Sequence, residues 1–593
     1  MKDFLKMVLA VICGLLLASI ISSLFLFGCA GAMAGSGSKP VLPRTGVLKM
    51  DLSKVAFSEQ VTEQPDFASV LRGGEMITPL SLRQTVDAIG AAANDPTVQF
   101  IYLKADGANV TLSQAEELRQ ALVRFRESGK AVVAYTESPG TGSIYLASAA
   151  DKIMMSDNCG AGPMIVGVSN RLVFLKDLLD KLGVNVQLIR HGKYKSAGEM
   201  FIRNSASPEN LEQNRAMVSS LWNTIAAAIA EGRGISVERL NEMVDNLELT
   251  DGKSMVRNSL VDELVTREQL KERLATFAMA KSFDEVSMIP LADYVTARTP
   301  AANPSAKNKI AIIYAEGEIV EGDGKQEISG DHFASVIAKV RADSTIKGVV
   351  LRVASPGGSV LAADKIKTEL DLLKKDKPLI ASYGDYAASG GYWISNNCDK
   401  IYSDATTLTG SIGVFSMIPD FSRTAKDVLR VGINQVSSNK HSDMFSGMRP
   451  LDAAEVAYMQ ASVEDIYSSF VSTVSEGRGL EPDYVDNIAQ GRVWTGSEAL
   501  DIKLVDEIGT LDDALGYMAG LLGGERSSYE IEAYPKPLTP MEQILEMIGQ
   551  KTSDQNDVLA GTPFAGIGKA FRGWDFASSE RVYARMPYVY IFD

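Results

Sequence analysis

Cysteine and histidine are both scarce. The 593 residues hold four cysteines and three histidines. Cys13, Cys29, Cys159 and Cys398 form no C-x-x-C pair and take no ligand spacing with the histidines, so no metal and no cofactor is implied. Cys13 and Cys29 lie in an N-terminal apolar segment, while Cys159 and Cys398 fall at related points of two repeats, which argues against a disulfide scaffold. Basic blocks are also missing. With a formal charge of −15 and no lysine- and arginine-rich run interleaved with aromatics, no nucleic-acid partner is expected.

What is present is ordinary globular composition, 46% hydrophobic and 22% charged. At this length one core is too small a solution, so two or more domains are expected. Residues 7–28 are apolar apart from small serines and are long enough to cross a bilayer. Lys2 and Lys6 precede that run and the next basic residue is Lys39, which predicts a cytoplasmic N-terminus and a body outside it. A cleaved signal peptide would carry a shorter apolar region of about 7–15 residues. Leu26-Phe-Gly-Cys29 resembles a lipoprotein cleavage box only loosely, because Phe27 fits it poorly. The expectation is a retained anchor and flexible tether over 1–45.

From residue 46 onward short apolar runs alternate with amphipathic stretches. Residues 98–103 and 131–135 read as strands, and 112–127 and 208–230 as helices. Such alternation predicts an α/β fold with a parallel, crossover-connected sheet. An Ala- and Pro-rich linker occupies 296–308, and the pattern restarts at Lys309. Four collinear matches tie the halves together. Residues 100–104 match 349–352, Asp151-Lys-Ile153 matches Asp399-Lys-Ile401, Glu231-Gly-Arg-Gly234 matches Glu476-Gly-Arg-Gly479, and Leu260-Val-Asp-Glu263 matches Leu504-Val-Asp-Glu507. The chain is read as a tandem duplication, with repeats over 46–295 and 309–593.

The repeats differ where chemistry is expected. In the second, an apolar strand leads into Ala387-Ala-Ser-Gly-Gly391 and then a helical Tyr392-Trp-Ile-Ser395. A serine at such a strand-to-helix turn stands exposed with backbone N–H groups nearby. One βα unit earlier, Ser355-Pro-Gly-Gly-Ser359 offers amide donors to an oxyanion. The first repeat has Gly142 opposite Ser389, and Ala105-Asp-Gly-Ala-Asn109 in place of the Pro-Gly-Gly turn. Conversely, the first repeat has Lys195 where the second has Met444. Each repeat keeps half of a site.

These residues resemble those of the long, duplicated form of the signal peptide peptidase A (protease IV) family. The motifs are Ser355-Pro-Gly-Gly-Ser359, residues 384–393, Leu408-Thr-Gly-Ser-Ile-Gly413 and Tyr194-Lys-Ser-Ala197. The resemblance implies a tandem ClpP/crotonase-like fold behind one transmembrane helix. It makes Ser389 the nucleophile, Lys195 the general base and Ser411 the residue that orients the lysine. Backbone N–H groups of Gly390 and of Gly357 or Gly358 would form the oxyanion hole. It implies a homotetramer at the inner membrane, facing the periplasm or cell exterior, that cleaves apolar peptides such as remnant signal peptides. A lysine serves as base only when neutral, which desolvation achieves.

Other readings are set beside this one. Lys193 is the neighbour most easily mistaken for the base. Ser411 also reads as a helix cap, and His441 offers a Ser–His pair within the second repeat. Asp385 and Tyr386 read as structural. At the level of the whole chain the alternatives are a crotonase-like acyl-CoA enzyme and a non-catalytic membrane scaffold. The final apolar stretch 588–592 reads as an edge strand, or as a strand able to enter a substrate groove.

Overall fold

A computed structural model describes residues 39–60, 77–536 and 582–586, apart from 159, 161, 301, 302, 304 and 326. The expected anchor over 7–28 and the tail stretch 588–592 lie outside the described residues. Among the described residues no helix is long and apolar enough to cross a membrane.

The first half builds a six-stranded parallel sheet in the order Glu263–Val265, Lys152–Ser156, Val132–Thr136, Val98–Lys104, Gly46–Asp51, Met288–Pro290. The second half repeats the plan. Its central strands run Leu408–Gly410, Leu379–Ala388, Ile346–Ser355, Lys309–Glu316 and Glu530–Tyr534, all parallel, with Val493–Thr495 antiparallel at one edge. These strands are near-continuous apolar runs because helices cover both faces. Of the two expected helices, one spans Leu112–Arg126 behind a Thr111/Gln114 capping box and the other Pro208–Arg233, with Ser207 as cap and proline at its first turn.

The repeated motifs prove to be one interlocked device used twice. Helices Pro208–Arg233 and Ala453–Arg478 both end on a left-handed glycine, Gly234 and Gly479. Arg233 pairs with Asp262 and Arg478 with Asp506. Those aspartates in turn accept from the N–H groups of Ile153 and Ile401, each the second residue of corresponding strands. The preceding aspartates, Asp151 and Asp399, accept from Val132 and Leu379. Gly232 and Gly477 allow close approach: a Cβ on either would stand 2.1 Å from the Ser148 carbonyl oxygen or 2.6 Å from Asn396 Oδ1.

A third sheet is mixed in origin, in the order Ile328–Ser329, Ile319–Val320, Gly357–Ser359, Tyr583–Arg585, Val414–Asp420, Asn185–His191. Asn185–His191 comes from the first half and pairs antiparallel along all seven residues of Val414–Asp420. This pairing carries the loop that follows it, 192–198, into the second half.

Candidate active site

Ser389 ends the strand Leu379–Ala388 and caps the helix Gly390–Ser395 at φ 55°, ψ −113°. A non-glycine residue with positive φ carries strain and persists only where its surroundings hold it. Here the Ser389 N–H donates to the Gly410 carbonyl at 2.8 Å, and its own carbonyl accepts from Trp393 N–H at 2.8 Å. In the first half the counterpart, Gly142, lies inside the helix Thr141–Ala147, whose cap Gly140 has an ordinary extended backbone.

Lys195 reaches this turn from the other repeat. Its Nζ is 2.8 Å from Ser389 Oγ, 2.8 Å from the Ser411 carbonyl oxygen and 3.0 Å from Ser411 Oγ. The lysine is 0% exposed, and none of these partners is a carboxylate. Burial therefore drives its amine well below the usual lysine range. Ser411 sits at φ 49° rather than in a cap, tied by its N–H to the Arg492 carbonyl at 2.7 Å. The Lys195 loop is clamped at several points. Arg190 donates to the Lys195 carbonyl, Gln213 to the Tyr194 carbonyl and Ser196 Oγ, and Tyr194 N–H to the Gln490 carbonyl. The chain at Gly491 passes so close that a Cβ there would stand 2.5 Å from Lys195 Cβ.

Three glycines line the other side of the serine. The Gly357 N–H already donates to Ser355 Oγ at 3.2 Å, which leaves Gly358 as the donor from that turn. Gly390 N lies 2.5 Å from where a Gly357 Cβ would be, so neither position admits a side chain without rearrangement. The structure thus brings Ser389, Lys195, Ser411 and the glycine turns together. His441 is not with them, for its Nδ1 lies 2.8 Å from Glu455 Oε1. Lys193 sits over the Tyr194 ring, its Nζ 5.0 Å from the centroid. Met444 is buried in the second half's core.

Sequence reasoning missed the seam that sets the two halves in register. Arg352, wholly buried, pairs with Glu59 at 2.8 Å and Glu117 at 2.5 Å, both from the first half. Glu116 accepts from Ala405 N–H, Thr406 N–H and Thr406 Oγ1 across the same boundary. Burial pushes Glu117 up to about 7 despite the arginine. No local spacing marks these residues, since their partners lie more than 200 positions away.

Comparison with known proteins adds an independent line. The model of "Peptidase family S49" matches residues 124–281 and 371–523, stretches that contain Lys195 and Ser389 respectively. Protease 4 of Haemophilus influenzae is 34% identical over 497 residues, covering 81% of this chain and 80% of its own length. Protease 4 of Salmonella typhi is 33% identical, with 86% and 84% covered. The chloroplastic serine protease SPPA of Arabidopsis thaliana is 28% identical, with 86% and 74% covered.

Proposed function

Because the chain belongs to peptidase family S49 and is a serine-type peptidase, we propose that it works through a dyad divided between its repeats, Ser389 as nucleophile and Lys195 as general base. The observation that carries this is the 2.8 Å approach of a buried, carboxylate-free amine to the serine hydroxyl. The neutral amine takes the Ser389 proton as Oγ attacks the peptide carbonyl. Gly390 and Gly358 N–H groups hold the resulting oxyanion, each such donor being worth about 10²–10³ in rate. The lysine then passes its proton to the leaving amine, and the same amine activates the water that hydrolyses the acyl-enzyme. Ser411 aims the amine through its hydroxyl and carbonyl.

The proposal extends to setting. The two repeats would be ClpP/crotonase-like units, and residues 7–28 would anchor the chain in the inner membrane with the catalytic part facing the periplasm or cell exterior. Homotetramers would cleave apolar peptides such as spent signal peptides. The test is hydrolysis of apolar fluorogenic peptides by wild type, Ser389→Ala and Lys195→Ala, each first checked for folding. Both substitutions are expected to remove activity to a similar extent, because residues acting as one unit are non-additive. An active Lys195→Ala enzyme would exclude the lysine as base.

A further inference from the structure

The described segment 582–586 supplies a peptide strand beside the reacting groups. It lies antiparallel between Gly357–Ser359 and Val414–Asp420, with Gly357 opposite Arg585, Gly358 opposite Ala584 and Ser359 opposite Tyr583. Met586 N–H donates to the Pro356 carbonyl at 2.7 Å. Hydrogen-bonded pairs in an antiparallel ladder recur at every second residue. The Pro356–Met586 pair therefore makes Gly358–Ala584 the next one, with the Gly358 N–H facing the Ala584 carbonyl. That carbonyl oxygen is also the nearest atom, 2.2 Å, to where a Gly357 Cβ would be, and 3.0 Å from where a Gly390 Cβ would be. A substrate lying as this segment does, with its carbonyl beside Gly358 and Gly390, would be attacked at the residue in the place of Ala584, with the residue in the place of Arg585 first beyond the scissile bond.

Arg585 is only 8% exposed, unusual for a cation. Its guanidinium is 3.3 Å from Glu318 Oε1. It borders a cavity of about 320 Å3 whose lining includes Glu59, Glu316, Glu318 and Asp385. Of these, Glu59 is paired with Arg352. Burial, with Glu59 adding to it, pushes Glu316 up to about 7. Asp385 is likewise pushed up to about 6, chiefly by burial. Carboxyls crowded in this way gain from a second cation. The following residue, Met586, enters an apolar cluster with Met217, Leu221, Ala388, Leu408 and Val493.

We infer that Glu318, with Glu316 and Asp385 beside it, forms a substrate subsite that selects arginine or lysine immediately after the scissile bond, ahead of an apolar residue. Arg585 shows how such a side chain is held. The inference rests on the peptidase reading and adds the substrate pattern to it.

The test uses the full chain and quenched fluorogenic peptides identical except for arginine, norleucine or glutamate after the cleaved bond, with products mapped by mass spectrometry. Wild type is expected to favour arginine over norleucine about tenfold in kcat/KM. Glu318→Gln should bring that ratio within about twofold, and Glu318→Lys should put the glutamate peptide ahead of the arginine one. Comparing peptides within each variant cancels any change in how strongly the chain's own segment competes. Equal cleavage of all three peptides, cleavage at another bond, or a ratio unchanged in Glu318→Gln would overturn the subsite alone. Cleavage of none would overturn the peptidase reading and the subsite with it.

Discussion

Lys195 holds its position at a cost to the fold. An amine with no exposure and no carboxylate partner is pushed toward its neutral form, whereas in the unfolded chain it titrates near 10.4. Between the depressed native value and about 10.4 the unfolded chain binds a proton that the folded chain does not. Wild-type stability therefore rises with pH through that window and levels off above it. Lys195→Met removes the penalty, so it should abolish hydrolysis while raising stability at neutral pH by about 1 kcal/mol or more. In denaturant titrations the gap from wild type should shrink as pH approaches 10. A variant less stable than wild type at pH 7 would contradict this account of the lysine. Ser389 and Lys195 could be singled out in the sequence because each repeat has at that position what the other lacks, whereas Ser411 was expected only through the family resemblance. The choice between Gly357 and Gly358 was not legible there, since it turns on the Ser355 hydroxyl capturing one amide, a contact no spacing reveals.

At the scale of elements, the site is a strand-to-helix turn from one repeat facing a loop from the other, and close backbone approach fixes their separation. Gly491 has φ 77° and lies against the Lys195 backbone, with a hypothetical Cβ 2.6 Å from Lys195 N. Gly491→Ala should therefore displace the amine and lower kcat about 100-fold with the fold retained by circular dichroism. Gly432→Ala, where a Cβ meets nothing within 4 Å, should leave kcat unchanged. A Gly491→Ala enzyme as active as the Gly432→Ala one would show that the loop tolerates movement. The strands at 98–103 and 131–135 were readable from apolar runs, and the helices at 112–127 and 208–230 from apolar residues at helical spacing. The third sheet was not. Several of its strands span only two or three residues, and Asn185–His191 finds its partner in the other repeat, where local periodicity carries no information.

Across the whole molecule, two similar sheets differ at the Ser389 turn and at the Lys195 loop. Lys195 and Ser389 stand 194 positions apart and meet only because the halves are held in one register. Arg352 with Glu59 and Glu117, and Glu116 on the 405–406 backbone, hold that register from one side. The shared sheet holds it from the other. Breaking a buried ion pair by removing one partner typically costs about 3–5 kcal/mol, so the seam is not easily opened. The repeat was visible in sequence as matched motifs; the seam was not, because buried charges at a boundary look like any others until their partners are known. The central claim is that one repeat activates the serine of the other. Its most direct measurement is labelling by a fluorophosphonate, with the modified residue mapped by mass spectrometry in wild type and in Lys195→Ala. Modification at Ser389 is expected in wild type, and at least about 100-fold slower modification in the folded Lys195→Ala variant. Labelling of Ser389 at an undiminished rate without the lysine, or labelling at a different serine, would contradict that claim.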